Sequence, residues 1–336
     1  MTVLITGGTG VIGSWVTRRL VEVEGIRPIV FDIAPNTTLL KDIEGKFEVL
    51  RGDTTDLAHI VRTVKKYGIK HIIYMAALIT KAEENPPLAL KVNTESLINM
   101  LEIARSFDIE RVVYTSSSAV YSHVRGEHGH PICKPINEDY EFISPKDDPE
   151  AYGSFRTYGI TKLTSELYGL NYAKAYGIDF VALRFAGTYG PGKMQFGRHT
   201  LEASIFNCII ENAMLGKPTK IRGGNAKGDW VYHKDVAKGI ALACFAKKLE
   251  HRIFHLGTGR GVTLVDLANT IRKIIPEAVI EIGPGLYPYY RGGWVFDTSR
   301  AREELGFTPD YSLEEGVKDY IETMRRLNFS PVYTPL

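Results

Sequence analysis

Several features are scarce in this chain of 336 residues, and each shortage removes a class of function. Cysteine is one: Cys133, Cys208 and Cys244 are an odd number, far apart and without metal-type spacing. That excludes a disulfide framework and fits a reducing compartment, so the expected location is cytoplasmic. No apolar run approaches the roughly 18 to 20 residues needed to span a bilayer. The apolar start Val3-Leu4-Ile5 runs at once into glycines, which is not the layout of a cleaved export signal. Neither sign of charge dominates, because Lys+Arg 41 against Asp+Glu 39 leaves +2. There is accordingly no bulk electrostatic case for nucleic acid or an anionic membrane as a partner. Internal repeats and low-complexity tracts are also missing. What remains, with 44% hydrophobic and 24% charged residues, is the composition of an ordinary globular protein. The length allows two domains, or one large domain with an annex.

The order of the apolar runs says more. Thr2–Thr6, Pro28–Asp32, Phe47–Arg51, His71–Ala76, Arg111–Ser116 and Phe180–Arg184 read as strands. Between them, Ser14–Val23, Leu57–Tyr67, Thr94–Phe107 and Tyr158–Tyr176 read as amphipathic helices. That alternation predicts an α/β fold, a Rossmann-type doubly wound parallel sheet. After Arg184, glycines mark a long loop, followed by helices at Leu201–Leu215 and Lys234–Lys247 and a further strand at Arg252–Leu256. Capping-box patterns at Thr263 and Ser312 open two more helices. The expected division is a cofactor-binding domain of residues 1–184 and 229–258, with a smaller, discontinuous C-terminal substrate lobe of residues 185–228 and 259–336.

Thr6-Gly7-Gly8-Thr9-Gly10-Val11-Ile12-Gly13 joins the first strand to the first helix. Gly8, Gly10 and Gly13 have G-x-G-x-x-G spacing, and Gly7, Gly10 and Gly13 fit a three-residue variant. Glycine lets the chain turn tightly and bring its amides against a pyrophosphate, with Val11 and Ile12 opening a helix whose free N–H groups face the anion. Asp32 ends the second strand, 19 residues after Gly13. A carboxylate there accepts both ribose hydroxyls and repels a 2′-phosphate, so the expected cofactor is NAD. The rival is NADP, with Arg51 or Lys41 folding over its phosphate.

Tyr158-Gly159-Ile160-Thr161-Lys162 sets a phenol and an ammonium on one helix face. A phenol of ordinary pKa, about 10, is a poor base at neutral pH, and nearby positive charge favours its ionised form. Thr115-Ser116-Ser117-Ser118-Ala119-Val120-Tyr121 follows the fifth strand, and ligands of open α/β sheets bind at the carboxyl ends of strands. Tyr152-Gly153-Ser154-Phe155-Arg156 mimics the tyrosine motif but ends in arginine. Tyr158 is preferred because Leu163, Leu167 and Leu170 continue its helix.

Together with Met75-Ala76-Ala77 and Asn93, these motifs resemble the short-chain dehydrogenase/reductase superfamily. More closely, the chain resembles its extended branch, the NAD-dependent epimerase/dehydratase family, also through Leu183–Gly192, Asp229–Ala237 and Asp297–Gly306. The resemblance implies that Ser117 is the active hydroxyl, Tyr158 the acid/base, and Lys162 its partner and a cofactor-ribose contact. It implies that Asn93 supports the tyrosine–lysine relay, that Asp53 and Thr54 meet the adenine, and that Ala76, Ala77 and Thr115 line the cofactor. Phe185 to Thr188 would face the nicotinamide. A homodimer through the helices Thr94–Phe107 and Tyr158–Tyr176 is implied as well.

The departures concern the substrate. Members that dehydrate or decarboxylate sugars carry acids after the active hydroxyl, where this chain has Ser118 and Ala119. Members that grip a nucleotide diphosphate have asparagine at Gly187 and arginine at Gly228. Lys193, Arg198, Lys227 and Arg291 are able to compensate, and Ser117, Ser118, Gly187, Arg198 and Arg291 are the candidate substrate residues. The loop Ser122–Ala151 holds His123, His128, His130 and Cys133. Its glycines and proline fit a substrate lid better than a metal site, so no metal is expected. The reading is an NAD-dependent oxidoreductase that moves hydride between NAD and a secondary alcohol or ketone of a small polar, non-nucleotide substrate (a sugar acid, polyol or hydroxy-amino acid). The rivals are a UDP-hexose type 4-epimerase with tightly bound NAD, and a non-catalytic NAD-binding regulator.

Overall fold

Successive residues of a strand point to opposite faces of its sheet. In this chain both sets are apolar, which is the pattern of a parallel sheet covered on both sides. The structure, a computed structural model, describes residues 1–121, 124, 126–141, 156–196, 201–287, 290 and 293–336. Its strands are β1 (Val3–Thr6), β2 (Ile29–Asp32), β3 (Glu48–Arg51), β4 (His71–Tyr74), β5 (Arg111–Thr115), β6 (Phe180–Phe185), β7 (Gly187–Tyr189), β8 (Thr219–Arg222), β9 (Lys227–Tyr232), β10 (Ile253–Leu256), β11 (Gly261–Thr263) and β12 (Ile280–Gly283).

Seven of these form one parallel sheet in the order β10-β6-β5-β4-β1-β2-β3. Val3, Ile5, Val30, Ile73, Val113, Val181 and Leu183 pack on one face, with Trp15, Val16 and Leu20 of the helix Val11–Glu22 and Val236 and Ile240 of the helix His233–Phe245. Leu4, Ile29, Phe31, Ile72, Tyr74, Val112, Tyr114 and Phe180 pack on the other, against Ile60 and Val64 of Leu57–Tyr67 and Leu97, Met100 and Leu101 of Ser96–Ser106. The doubly wound sheet expected from the sequence is therefore present, and its strand ends align along one edge.

Local signals explain the helix limits. Gly10, extended at φ −66° and ψ 174°, caps the first helix, which starts at Val11 as the glycine motif implied. The Asp56 carboxylate accepts from His59 N at 2.9 Å to open Leu57–Tyr67, and left-handed Gly68 ends it. Both capping boxes form, opening Leu264–Ile274 and Leu313–Arg326. The expected Thr94–Phe107 helix is Ser96–Ser106, preceded by the short helix Pro86–Leu90 and one wide turn, Lys91–Glu95.

The remaining strands make a three-stranded sheet, β11-β9-β7, and a two-stranded one, β12-β8. Residues 229–232, expected to return to the main sheet, lie in β9 and pair with β7 and β11 instead. The return begins at the helix His233–Phe245 and ends with β10 beside β6. A separate apolar cluster of Phe206, Ile209, Leu267, Ile271, Val317 and Tyr320 holds the C-terminal elements together. No helix among the described residues is long and apolar enough to cross a membrane.

Candidate active site

The turn after β1 is tight enough to specify its glycines. Gly7 is left-handed at φ +69°, its N–H donates to Phe31 O at 2.8 Å, and Gly10 N donates to Gly7 O at 3.0 Å. A Cβ on Gly13 would lie 2.1 Å from Gly7 O and 2.8 Å from Gly8 Cα, and neither backbone group can move aside. The first turn of the following helix has no acidic residue and no side-chain cap, so its N–H groups stay open to an anion. Asp32, at the end of β2, accepts from Thr9 Oγ1 at 2.7 Å and from Ala34 N at 3.2 Å. These residues fit a dinucleotide: amides for the pyrophosphate and a fixed carboxylate for the ribose.

The neighbouring strand ends complete the edge. Asp53 Oδ1 accepts from Thr55 N at 2.8 Å, while Thr54 is buried with its hydroxyl toward the Tyr74 phenol, so its side chain points into the core. Thr6 Oγ1 holds the Met75 and Ala76 amides at 3.1 and 3.2 Å, fixing the Met75-Ala76-Ala77 turn. Asn93, buried on the wide turn, accepts from Leu78 N at 2.7 Å and donates to Leu78 O and to Thr161 Oγ1, both at 3.0 Å. It reaches the helix that carries Tyr158 and Lys162 at Thr161, between the two, rather than at either.

The helix Thr157–Tyr176 carries Tyr158 and Lys162 to the end of β5. Glu83 accepts from Thr157 Oγ1 at 3.1 Å and from Tyr158 N at 3.4 Å, capping that helix from another segment. Lys162 Nζ donates to Thr115 O at 2.5 Å and lies 5.6 Å from the centre of the Tyr158 ring. Ser117 Oγ accepts from Ala119 N at 3.1 Å and lies against the Tyr158 phenol. Burial pushes that phenol up to about 12, with Ser117 acting the other way. Burial pulls the Lys162 ammonium down to about 7, opposed by Glu166. The expected lowering of the phenol is thus not supplied by the residues around it, because desolvation outweighs them.

One cavity of about 380 Å³ joins these groups. It runs from Val11 and Ile12 past Ser117, Ser118, Tyr158, Phe185, Gly187 and Thr188, and ends among Lys193, Phe206, Lys227, Trp230, Tyr287 and Tyr290. Gly187 has a packing reason: a Cβ there would press on Asp229 O and Trp230 Cε3, both at 3.0 Å. Arg198 and Arg291 lie outside the described residues, as do Tyr152 of the decoy motif and His123 of the long loop. Among the described residues, no three His, Cys, Asp or Glu side chains come together as a metal would need.

Sequence reading missed the support beneath the site. Arg184 of β6 and Glu166 of the helix Thr157–Tyr176 are 2% and 1% exposed. They meet at 2.7 Å (Nη2 to Oε2) and 3.0 Å (Nε to Oε1). Ser116 Oγ also donates to Glu166, and Arg184 continues to Tyr121 Oη at 2.6 Å and Glu138 O at 3.0 Å. The available signal was an arginine inside a strand otherwise apolar on both faces.

A profile of the NAD dependent epimerase/dehydratase family matches residues 3–257. A putative UDP-glucose 4-epimerase of Methanocaldococcus jannaschii is 30% identical over 334 residues, 97% of this chain and 99% of that protein. A UDP-glucuronate 4-epimerase of Thermodesulfobacterium geofontis is 27% identical over 331 residues, 94% of this chain and 93% of that protein. Among solved structures, UDP-glucose 4-epimerase from Thermotoga maritima with UDP-glucose superposes with a TM-score of 0.78 at 26% identity, covering 97% of this chain and 99% of that one.

Proposed function

Since this chain belongs to the NAD-dependent epimerase/dehydratase family, and is an enzyme whose cofactor is NAD, we propose that it is a UDP-sugar 4-epimerase. The non-nucleotide substrate expected from the sequence gives way to this reading. Relatives that resemble the chain over nearly its whole length include a putative UDP-glucose 4-epimerase and a UDP-glucuronate 4-epimerase. The observation that carries the proposal is the continuous cavity: it places Ser117 and Tyr158 beside the glycine turn and leaves a wall of aromatics and lysines beyond them for the rest of a long substrate.

Ser117, Tyr158 and Lys162 are the catalytic residues in this proposal. The proton of the sugar 4-hydroxyl passes to Tyr158 Oη, while Ser117 Oγ holds the reacting oxygen. Bound NAD supplies the acceptor for the hydride and a positive ring that favours the phenolate. Lys162, pinned on Thr115 O, adds its charge on the same side and reaches the ribose. Gly7, Gly10, Val11, Ile12 and Gly13 take the pyrophosphate and Asp32 the ribose. Asp53, Thr54, Ala76, Ala77, Asn93, Thr115, Phe185 and Thr188 complete the cofactor site; Thr54, its side chain turned to the core, contributes through its backbone. Ser117, Ser118, Gly187, Arg198 and Arg291 remain the substrate set.

The division into residues 1–184 with 229–258, and 185–228 with 259–336, is retained with β9 assigned to the smaller lobe. A cytoplasmic homodimer belongs to the same reading. Ile160 and Leu167, seven residues apart on one side of the helix Thr157–Tyr176, are 49% and 57% exposed, and Leu88 and Leu90 of the adjoining helix Pro86–Leu90 are exposed as well. The test is to incubate the NAD-loaded protein with UDP-glucose, UDP-galactose and UDP-glucuronate and to follow 4-epimer formation. Interconversion without net NADH supports the proposal. Net NAD reduction by a non-nucleotide alcohol, with no epimer formed, refutes it.

A further inference from the structure

Among the described residues, five cationic side chains of lysine and arginine are buried: Arg18, Arg111, Lys162, Arg184 and Lys193. Burying a charge is expensive unless an opposite charge comes with it. Arg18 has Glu22 and Asp42, Arg111 has Asp179, and Arg184 has Glu166. Lys162 lies in the field of Glu166, one turn further along its helix. Lys193 is the exception.

Lys193 opens the short helix Lys193–Phe196 and is 5% exposed. Its Nζ donates to Thr188 O at 2.7 Å and to Ala203 O, with Thr188 Oγ1 at 3.5 Å. Every partner is neutral. The titratable group that acts on it from the helix packed alongside, Leu201–Met214, is the Cys208 thiol, which burial itself keeps protonated. Desolvation pulls the Lys193 ammonium down to about 7. Two carbonyls occupy two of its three N–H donors, the third has only the Thr188 hydroxyl at 3.5 Å, and the residue forms part of the cavity wall beside Thr188, Ala203 and Phe206.

We propose that Lys193 is a substrate-binding residue that holds an anionic oxygen, the ligand bringing a counter-charge that none of the described residues supplies. The assignment rests on reading this cavity as the substrate site. An oxyanion there comes from either of two sources, the diphosphate of a nucleotide sugar or the carboxylate of a sugar acid, and the diphosphate is the one that fits the proposed activity. At pH 8 an amine titrating near 7 is mostly neutral in the free protein and takes up a proton when it accepts such a ligand.

The experiment is calorimetric titration of the NAD-loaded full chain at pH 8 with UDP and, separately, with D-glucuronate. Each is run in two buffers of different ionisation enthalpy, so that proton uptake is read directly. UDP is expected to bind with uptake of most of one proton. Lys193→Met is expected to abolish the uptake and weaken binding roughly tenfold to hundredfold, the loss of one charge-assisted hydrogen bond. Lys193→Arg, charged at every pH used, keeps most of the affinity without the uptake, and it stands in if the methionine variant does not fold. Lys162→Met, lacking the other buried amine, keeps the uptake. Binding of glucuronate but not UDP, with the same dependence on Lys193, supports the assignment and removes the nucleotide reading. UDP binding that is indifferent to Lys193 or to buffer overturns the assignment and leaves the epimerase reading intact. Binding of neither probe also overturns it.

Discussion

Replacing Glu166 by glutamine removes one charge from a pair that has almost no water around it. Glu166 and Arg184 are 1% and 2% exposed and share two contacts at 2.7 and 3.0 Å. Glutamine keeps the shape and one acceptor but leaves the guanidinium without its main counter-charge. Breaking a buried pair from one side costs about 3–5 kcal/mol. With an unfolding entropy of about 2.1 cal/mol/K per residue, a chain of this length has about 0.7 kcal/mol/K, so the melting midpoint should fall by about 4–7 °C. Calorimetric melting of the NAD-free protein measures this directly.

The same variant should lower activity beyond its effect on folding. Ser116, next to the proposed active hydroxyl of Ser117, loses a charged acceptor, and Lys162 loses the acid that opposes its desolvation. Glu166→Leu with Arg184→Met removes both charges and should recover part of the lost stability, since an apolar pair needs no compensation. Recovery should stop short of complete, because Tyr121 Oη and Glu138 O lose the Arg184 donor. A Glu166→Gln protein that melts within about 1 °C of wild type would refute the reasoning.

Other expectations follow from the same contacts. Gly13→Ala puts a Cβ 2.1 Å from Gly7 O, so the turn must open; the variant should lose NAD retention, measured as cofactor per purified chain, and full retention would contradict the cofactor placement. Lys162 and Lys193 each have a folded pKa near 7, below the unfolded value of about 10.4, so above pH 7 the unfolded chain holds more protons and stability rises with pH. Between pH 7 and 8, below the thiol range, each lysine should add up to about 1.4 kcal/mol per pH unit, and denaturant melts of Lys193→Met should show the smaller slope. Ile160→Lys combined with Leu167→Glu should yield monomers in sedimentation without loss of helix content; a persisting dimer would place the interface elsewhere.

What the sequence disclosed and withheld divides along a physical line. The inner strands of the main sheet were legible because burial on both faces leaves continuous apolar runs, as in Val3–Thr6 or Phe180–Phe185. The glycine turn and the Tyr158/Lys162 pair were legible because their geometry is local. Strands β8 and β12 were not: Thr-Lys-Ile-Arg and Ile-Glu-Ile-Gly are short, half exposed, and pair across a long sequence separation. Glu166 and Arg184 meet only through the fold. The substrate shows the division most sharply. Gly228 looked like a missing cation, and there is room for one, since a Cβ there would meet nothing closer than Trp230 Nε1 at 3.4 Å. Yet the same cavity already has Lys193 in its wall from one segment and Lys227 from another. Motif comparison counts charges at aligned positions, whereas a ligand responds to charges gathered at one place in space. Lys193 and Lys227 were open to naming from the sequence as compensating cations, but only the fold brings the two into the wall of one cavity.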